Sequence, residues 1–236
     1  MAKKGSQKAS TSAVSPTAKP PSAPQFPPVS PKSDLECRVL LEDQILLIDD
    51  IFSPEECKAY VRFIDGLPLE LTPPKKKGEA ERVNHRISVT SPEFAQRLLP
   101  VLAPHLPLFA YPASARRANG APRAAHSLNT NIRMYKYTPG QHFGPHYDDS
   151  VRDAVTGAKS EWTLLIYLSG AQDGVEGGET IFYKEQRGKP TQTVVAPLTR
   201  GTALLHRHGN ECLLHEGSSV TKGTKYILRS DLMFTT

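Results

Sequence analysis

Between Asn129 and Tyr137 the chain alternates. Asn129, Asn131, Arg133, Tyr135 and Tyr137 fall on one face, and Thr130, Ile132, Met134 and Lys136 on the other, until Pro139-Gly140 ends the run. A period of two is that of a β-strand, whose successive side chains point to opposite sides. Further strand-like runs follow in EWTLLIYLSG, GETIFYKE, TQTVVAP, GTALLHRHG and KYILRSDLMF, most of them separated by Gly, Pro, Asn or Asp. Many short strands with turns between them predict a barrel or a sandwich.

The preceding part of the chain is patterned differently. CRVLLEDQILLIDDIF reads as strand, turn, strand. SPEECKAYVRFIDGL opens with a helix start signal: Ser53 as N-cap, Pro54 in the first helical position and Glu56 closing a capping box. Gly66 is the expected stop. SPEFAQRLLPVL repeats the Ser-Pro-Glu start, so a second helix is expected from about Pro92. Between the helices, Lys75 to Lys77 lie in a Pro/Gly-rich stretch read as a solvated loop, and residues 112–126 look like another loop. The class is α+β, with supporting N-terminal helices and a β-rich second half over about 129–235. No long-period repeat is visible.

Charge changes the picture little. The formal net charge is +5, but residues 1–33 hold five lysines (Lys3, Lys4, Lys8, Lys19, Lys32) and no acid. Residues 34–236, expected to be one domain, are left with 24 basic and 24 acidic residues. The basic excess therefore belongs to a Pro/Ser/Lys-rich tail, residues 1–33, that buries too little apolar surface to order itself and is expected to be disordered. A neutral folded part weighs against nucleic acid, whose phosphates call for clustered cations. No apolar run approaches the roughly 18 residues of a membrane span, and the N-terminus has no signal-peptide core. Three scattered cysteines without a CxxC fit a reducing compartment. A cytoplasmic or nuclear location is expected, with organellar targeting by the tail left open.

Chemistry concentrates in QHFGPHYDDS, residues 141–150. On an extended strand His146 and Asp148 share a face and can reach one ion, whereas Asp149 points away and His142 lies beyond the Gly144-Pro145 bend. One imidazole and one carboxylate are two-thirds of the facial triad that serves non-haem Fe(II) oxygenases. A second histidine must come from a neighbouring strand, and His206, His208 and His215 are the downstream candidates. Lys225 follows His215 by ten residues and opens a strand, where it suits a buried cation for a dicarboxylate.

Taken together, RMYKYTPGQHFGPHYDDS, WTLLIYLSG, GGETIFY and LLHEGSSVTKGTKYILRSDLMF resemble the prolyl 4-hydroxylase-like Fe(II)- and 2-oxoglutarate-dependent dioxygenases, over roughly Asn129 to Phe234. ILLIDDIFSPEECKAYV is similar to the start of such proteins. The resemblance implies a double-stranded β-helix, or jelly roll. It implies His146, Asp148 and His215 as iron ligands, and Lys225 as the partner of the far carboxylate of 2-oxoglutarate. It places Tyr137 and Tyr167 beside the co-substrate. Arg229, on the Lys225 face, is the alternative anion partner. Arg133 and Tyr135 share the face of Tyr137 and are candidates for the substrate side. Asn84 and Arg86 are weaker candidates from the N-terminal part. His206 stands where relatives often have an aromatic residue and is expected to pack in the core.

The activity implied is hydroxylation of a C–H bond, first of all in a peptidyl proline, with O2 consumed and succinate and CO2 released. Ascorbate would keep the iron reduced. The same chemistry on a small molecule or a nucleobase is the alternative substrate reading. A non-catalytic metal-binding jelly roll serving as an interaction module is the alternative of another class.

Overall fold

The computed structural model describes residues 24–115, 119–186 and 188–235. The chain opens with the hairpin β1 (Cys37–Leu41) and β2 (Ile45–Ile48), followed by α1 (Pro54–Asp65). Short strands β3 (Glu70–Leu71), β4 (Arg82–Val83) and β5 (His85–Thr90) lead to α2 (Pro92–Leu102). The rest is strand: β6 (Ser127–Leu128), β7 (Asn131–Tyr137), β8 (His142–His146), β9 (Lys159–Tyr167), β10 (Glu176–Gly177), β11 (Thr180–Gln186) and β12 (Lys189–Ala196). β13 (Ala203–Arg207), β14 (Leu214–Gly217), β15 (Val220–Lys222) and β16 (Lys225–Phe234) complete it.

Both helices start as their sequences dictate. The Ser53 side chain accepts from the Glu56 amide, and the Glu56 carboxylate accepts from the Ser53 amide, so two otherwise orphaned donors are satisfied. Ser91 caps α2 through the Phe94 amide, with Pro92 in the first turn.

All the strand pairs among the described residues are antiparallel. A nine-stranded sheet runs β1-β2-β13-β9-β16-β7-β5-β3, with β6 beside β16. A five-stranded sheet runs β12-β11-β14-β8-β4. The smaller sheet covers one face of the larger, and α1 and α2 cover the other. The result is a jelly-roll sandwich with helices on one side. Strands of the large sheet are therefore buried on both faces, and their alternation sorts side chains into two cores. Leu46, Met134, Ile166, Leu205 and Leu228 join Tyr60, Ile64, Phe94 and Leu98 of the helices. Leu47, Tyr135, Tyr137, Tyr167, Leu204 and Ile227 join Phe182 of the small sheet. On β16 this rule turns Lys225 and Arg229 to the inter-sheet side, with Ile227.

Order was expected to begin near Cys37, but it begins earlier. Residues 24–33, assigned to the disordered tail, lie against the helices. Phe26 is buried and stacks on Phe94 with centroids 4.2 Å apart. The Tyr60 hydroxyl donates to the Pro27 carbonyl, and Lys32 pairs with Glu56. One aromatic ring with a pocket to fill offsets the ordering cost that the polar composition suggests cannot be met. The remainder of that tail lies outside the described residues.

Candidate metal centre

The small sheet brings the first two candidates together by register. β14 pairs with β8 so that His215 stands directly opposite His146. The His146 ring stacks on Phe143, and the His215 ring on Phe182. The Nδ1 of His146 lies 2.9 Å from the Gly144 carbonyl, and that of His215 2.9 Å from the Leu213 carbonyl. A carbonyl only accepts, so in each neutral ring Nδ1 carries the proton and Nε2 presents its lone pair to the site.

Asp148 completes the set, although β8 ends at His146 and Asp148 sits in the segment beyond it. Its amide donates to Cys212 Sγ, and its carbonyl accepts from the Gly209 amide, which fixes the backbone. Its oxygens stand 3.8 Å from His146 Nε2 and 3.6 Å from His215 Nε2. The three donor atoms lie within 4.8 Å of one another. The carboxylate is held by Arg229, whose NH1 donates to Oδ1 at 3.0 Å and whose NH2 stands 3.0 Å from Oδ2, and by the Thr163 hydroxyl. Burial alone would raise the Asp148 pKa, but the Arg229 guanidinium and the neighbouring histidines hold it well below the usual carboxylate range. Burial, reinforced by His215, lowers His146 to about 4, so this ring is neutral near pH 7. Burial lowers the His215 pKa, but the Asp148 carboxylate and Cys212 raise it to about 9, so without an ion its Nε2 holds a proton facing Asp148; a divalent ion such as Fe(II) would take that proton's place between two imidazoles and one carboxylate. His142 is half-buried and pairs with Val83, and Asp149 is exposed, as the alternation indicated.

Lys225 lies across the sandwich, on the facing sheet rather than on a strand next to a metal-ligand candidate. It is 2% exposed, and its ammonium donates to the Gly178 carbonyl. Gly178 has φ +79°, and a Cβ there would meet Val220 and the Lys225 stem, so glycine is required at this turn into β11. Burial lowers the Lys225 pKa to about 8. Its Nζ stands 5.2 Å from the Tyr137 ring centroid and 5.8 Å from that of Tyr167. Tyr137 lines the cavity between the sheets, whereas the Tyr167 hydroxyl is engaged by Thr180 at 2.7 Å, outside that lining.

Two weaker candidates are corrected. Arg229 reaches the cavity, but its guanidinium is taken up by Asp148 instead of standing open beside Lys225. Arg133 pairs with Asp231 at 3.5 Å and lines a separate surface cleft with Asn131 and Met233. From the N-terminal part, Arg86 is exposed on β5 and stays away from the site. The residue that does reach the cavity is Arg82, which sequence reasoning passed over. Its guanidinium lies 4.3 Å from the Phe143 ring centroid and 4.7 Å from that of Tyr135, and Asn84 Oδ1 accepts from its Nε. His206 is also at the centre, with Nε2 3.6 Å from Asp148 Oδ2. His208 is not available: its two nitrogens bond the hydroxyls of Thr163 and Ser160.

The cavity enclosed by Arg82, Tyr137, His146, Asp148, His215 and Lys225 is narrow, about 40 Å³. A larger cleft of about 740 Å³ lies around Tyr111, Arg123, Glu161 and Glu211, but among the described residues the only histidine lining it is the satisfied His208. The chemistry belongs to the small cavity, because donors and buried cation converge there. No helix among the described residues is long and apolar enough to cross a membrane.

Comparison with known proteins finds a similar family and a shared fold. Residues 132–230 match the 2OG-Fe(II) oxygenase superfamily. The viral collagen prolyl hydroxylase of Paramecium bursaria Chlorella virus-1, solved with 2OG, superposes with a TM-score of 0.50 at 18% identity, over 81% of this chain and 97% of that one. A prolyl-4-hydroxylase of Pseudomonas putida gives 0.53 at 12% identity, over 82% and 94%. A Trichoplax adhaerens prolyl hydroxylase, solved with a hypoxia-inducible-factor peptide, gives 0.51 at 13%, over 81% and 84%. At these identities the likeness is one of fold. A comparison with curated proteins gave no match. His146, Asp148, His215 and Lys225 all lie inside residues 132–230, the span that is similar to the 2OG-Fe(II) oxygenase superfamily, and the chain shares its fold with solved prolyl hydroxylases.

Proposed function

We propose that the domain hydroxylates a C–H bond of a peptidyl proline, with Fe(II) held by His146, Asp148 and His215 and 2-oxoglutarate anchored by Lys225. The observation that carries this reading is the convergence of two backbone-locked Nε2 atoms and one Arg-held carboxylate within 4.8 Å, with a buried ammonium in the same cavity. Iron with 2-oxoglutarate and O2, when bound, supplies the oxidation: 2-oxoglutarate loses CO2 to become succinate, one oxygen atom entering succinate and the other the substrate C–H bond.

The side chains supply position and charge. The Gly144 and Leu213 carbonyls keep the two histidines in the ligating tautomer. Arg229 and Thr163 orient Asp148 and keep it ionised. The Lys225 ammonium meets the far carboxylate in a site screened from water, where such a pair is worth more than at a surface. Tyr137 and Tyr167 pack around that ammonium, and Arg82 closes the cavity beside Phe143. Ascorbate belongs to this reading as the reductant that keeps iron ferrous. The proline substrate is supported by the fold shared with prolyl hydroxylases, one of them solved with a peptide.

The test is incubation of the protein with Fe(II), 2-oxoglutarate, ascorbate and proline-containing peptides. Succinate and a peptide gaining one oxygen atom on proline are expected, and both should vanish in His146→Ala and His215→Ala. Equal succinate from wild type and both variants would sink the reading. Oxidation confined to non-proline positions would leave the site assignment standing and reject the substrate.

A further inference from the structure

The metal centre holds one group that the triad does not use. His206 is 2% exposed and lies on β13 beneath the small sheet, its ring centroid 4.6 Å from that of His215. Its Nδ1 lies 3.1 Å from the Arg207 carbonyl. That carbonyl can only accept, so in the neutral ring the proton sits on Nδ1 and Nε2 is a bare lone pair. Nε2 has no hydrogen-bond partner among the described residues. It faces Asp148 Oδ2 at 3.6 Å, the same separation that His215 Nε2 keeps from that oxygen. Oδ2 is an acceptor as well, and it already accepts from Thr163. Two lone pairs thus face each other in a buried site, an arrangement that costs free energy unless a cation stands between them.

Cys212 is the other group near His206 and His215, the three offering ligand atoms within 4.8 Å of one another. Its thiol is committed, however: Sγ accepts from the Asp148 amide and donates to the Leu213 carbonyl. His206 Nε2 is the free donor.

We propose that His206 is a fourth protein ligand of the ion held by His146, Asp148 and His215; the proposal rests on the metal centre argued above. A triad leaves three positions of an octahedral ion for co-substrate and O2. A fourth protein donor occupies one of them, so it must give way when 2-oxoglutarate and O2 are both to bind. His206 therefore helps retain the metal before and after 2-oxoglutarate binds, and leaves it when O2 takes its position. An aromatic residue in the same place would fill the space without offering a lone pair.

The experiment uses the full chain loaded with Zn(II) or Fe(II), and needs no turnover. X-ray absorption should count three imidazoles on the metal in wild type, without and with 2-oxoglutarate, and two once nitric oxide, standing in for O2, is added to the Fe(II) form with 2-oxoglutarate. In His206→Phe the count should be two in every state, and metal affinity without co-substrate should fall about tenfold or more. His215→Ala is the control for the centre itself. If His215→Ala binds metal as tightly as wild type, the triad reading fails. If His215→Ala loses the metal while wild type shows two imidazoles without co-substrate, His206 is no ligand and this proposal falls alone. Three imidazoles still on the metal after nitric oxide binds would overturn the exchange. The wild-type counts decide the matter even if His206→Phe does not fold.

Discussion

Arg229 grips Asp148 with both terminal nitrogens, NH1 to Oδ1 at 3.0 Å and NH2 3.0 Å from Oδ2, inside a nearly closed core. The pair explains how a carboxylate 8% exposed stays charged and aimed at the two histidines. A bidentate fork fixes the carboxylate plane as well as its charge. Breaking such a pair from one side leaves the other charge buried and alone, which typically costs about 3–5 kcal/mol. Arg229→Met should therefore lower the stability of the metal-free protein by about that much in urea unfolding. Arg229→Lys should also weaken metal binding, because one ammonium cannot hold both oxygens. A Met variant as stable as wild type would mean that Asp148 finds its charge balance elsewhere.

Lys225 carries a pH signature. Burial lowers its pKa to about 8, so the ammonium is intact below that pH and lost above it. A carboxylate binds the charged form, so 2-oxoglutarate affinity should be flat below about pH 8 and fall as pH rises through it, tending toward tenfold per unit. A bound anion favours the proton, so saturating 2-oxoglutarate should shift the decline upward. Lys225→Arg stays charged throughout and should remove the decline, whatever its own affinity. Isothermal titration between pH 6.5 and 9.5, roughly two units around this pKa, reads all of this. Persistence of the same decline in the Arg variant would assign it to another group.

The ease with which these residues were found in the sequence differs, for physical reasons. His146 and Asp148 were legible because a two-residue spacing is a local property, although the strand that was to align them ends at His146. Ser53, Glu56 and Ser91 were legible for the same reason: a cap depends on residues a few places apart. Arg82 was not, because what brings it to the site is the pairing of β4 with β8, some sixty residues apart. The candidates named from that part were Asn84 and Arg86, of which Asn84 serves Arg82 and Arg86 faces solvent. His206 was visible as a histidine in an apolar strand, but its face toward Asp148 depends on how the two sheets stack. Lys225 was assigned from its distance to His215, yet it lies on the opposite sheet, a relation that spacing does not encode.

Arg82 has the geometry of a stopper. It lies over Phe143 and Tyr135 and is tethered by Asn84. The cavity beneath, about 40 Å³, has room for little more than water. A five-carbon dicarboxylate needs the long, flexible side chains of Arg82 and Lys225 to move. With co-substrate in place, a closed Arg82 keeps water from the reacting centre. Arg82→Ala should therefore raise the ratio of succinate formed to product hydroxylated several-fold, with thermal stability near wild type. Asn84→Ala should act in the same direction but less, since it frees Arg82 without removing it. Unchanged coupling in Arg82→Ala, measured by succinate and product in one sample, would show that Arg82 only packs.

Phe26 gives the sharpest stability test, because composition placed it in a disordered tail. It stacks on Phe94 at 4.2 Å and tilts against Phe63 at 5.1 Å, and only 5% of it is exposed. It pins the extended segment that also supplies the Pro27 carbonyl to Tyr60 and Lys32 to Glu56, the residue that closes the α1 capping box. Deleting a buried aromatic ring costs about 3–5 kcal/mol when the surroundings cannot collapse. Phe26→Ala should reach the lower part of that range, because a segment with few other anchors can peel away and relax. Phe26→Leu, which keeps most of the apolar volume, should lose much less. Metal affinity should not change in either variant, since the pocket of Phe26 lies on the helix side of the large sheet and the triad on the other. A substitution at Phe26 that left the urea midpoint where it was would restore the disordered reading for residues 24–33.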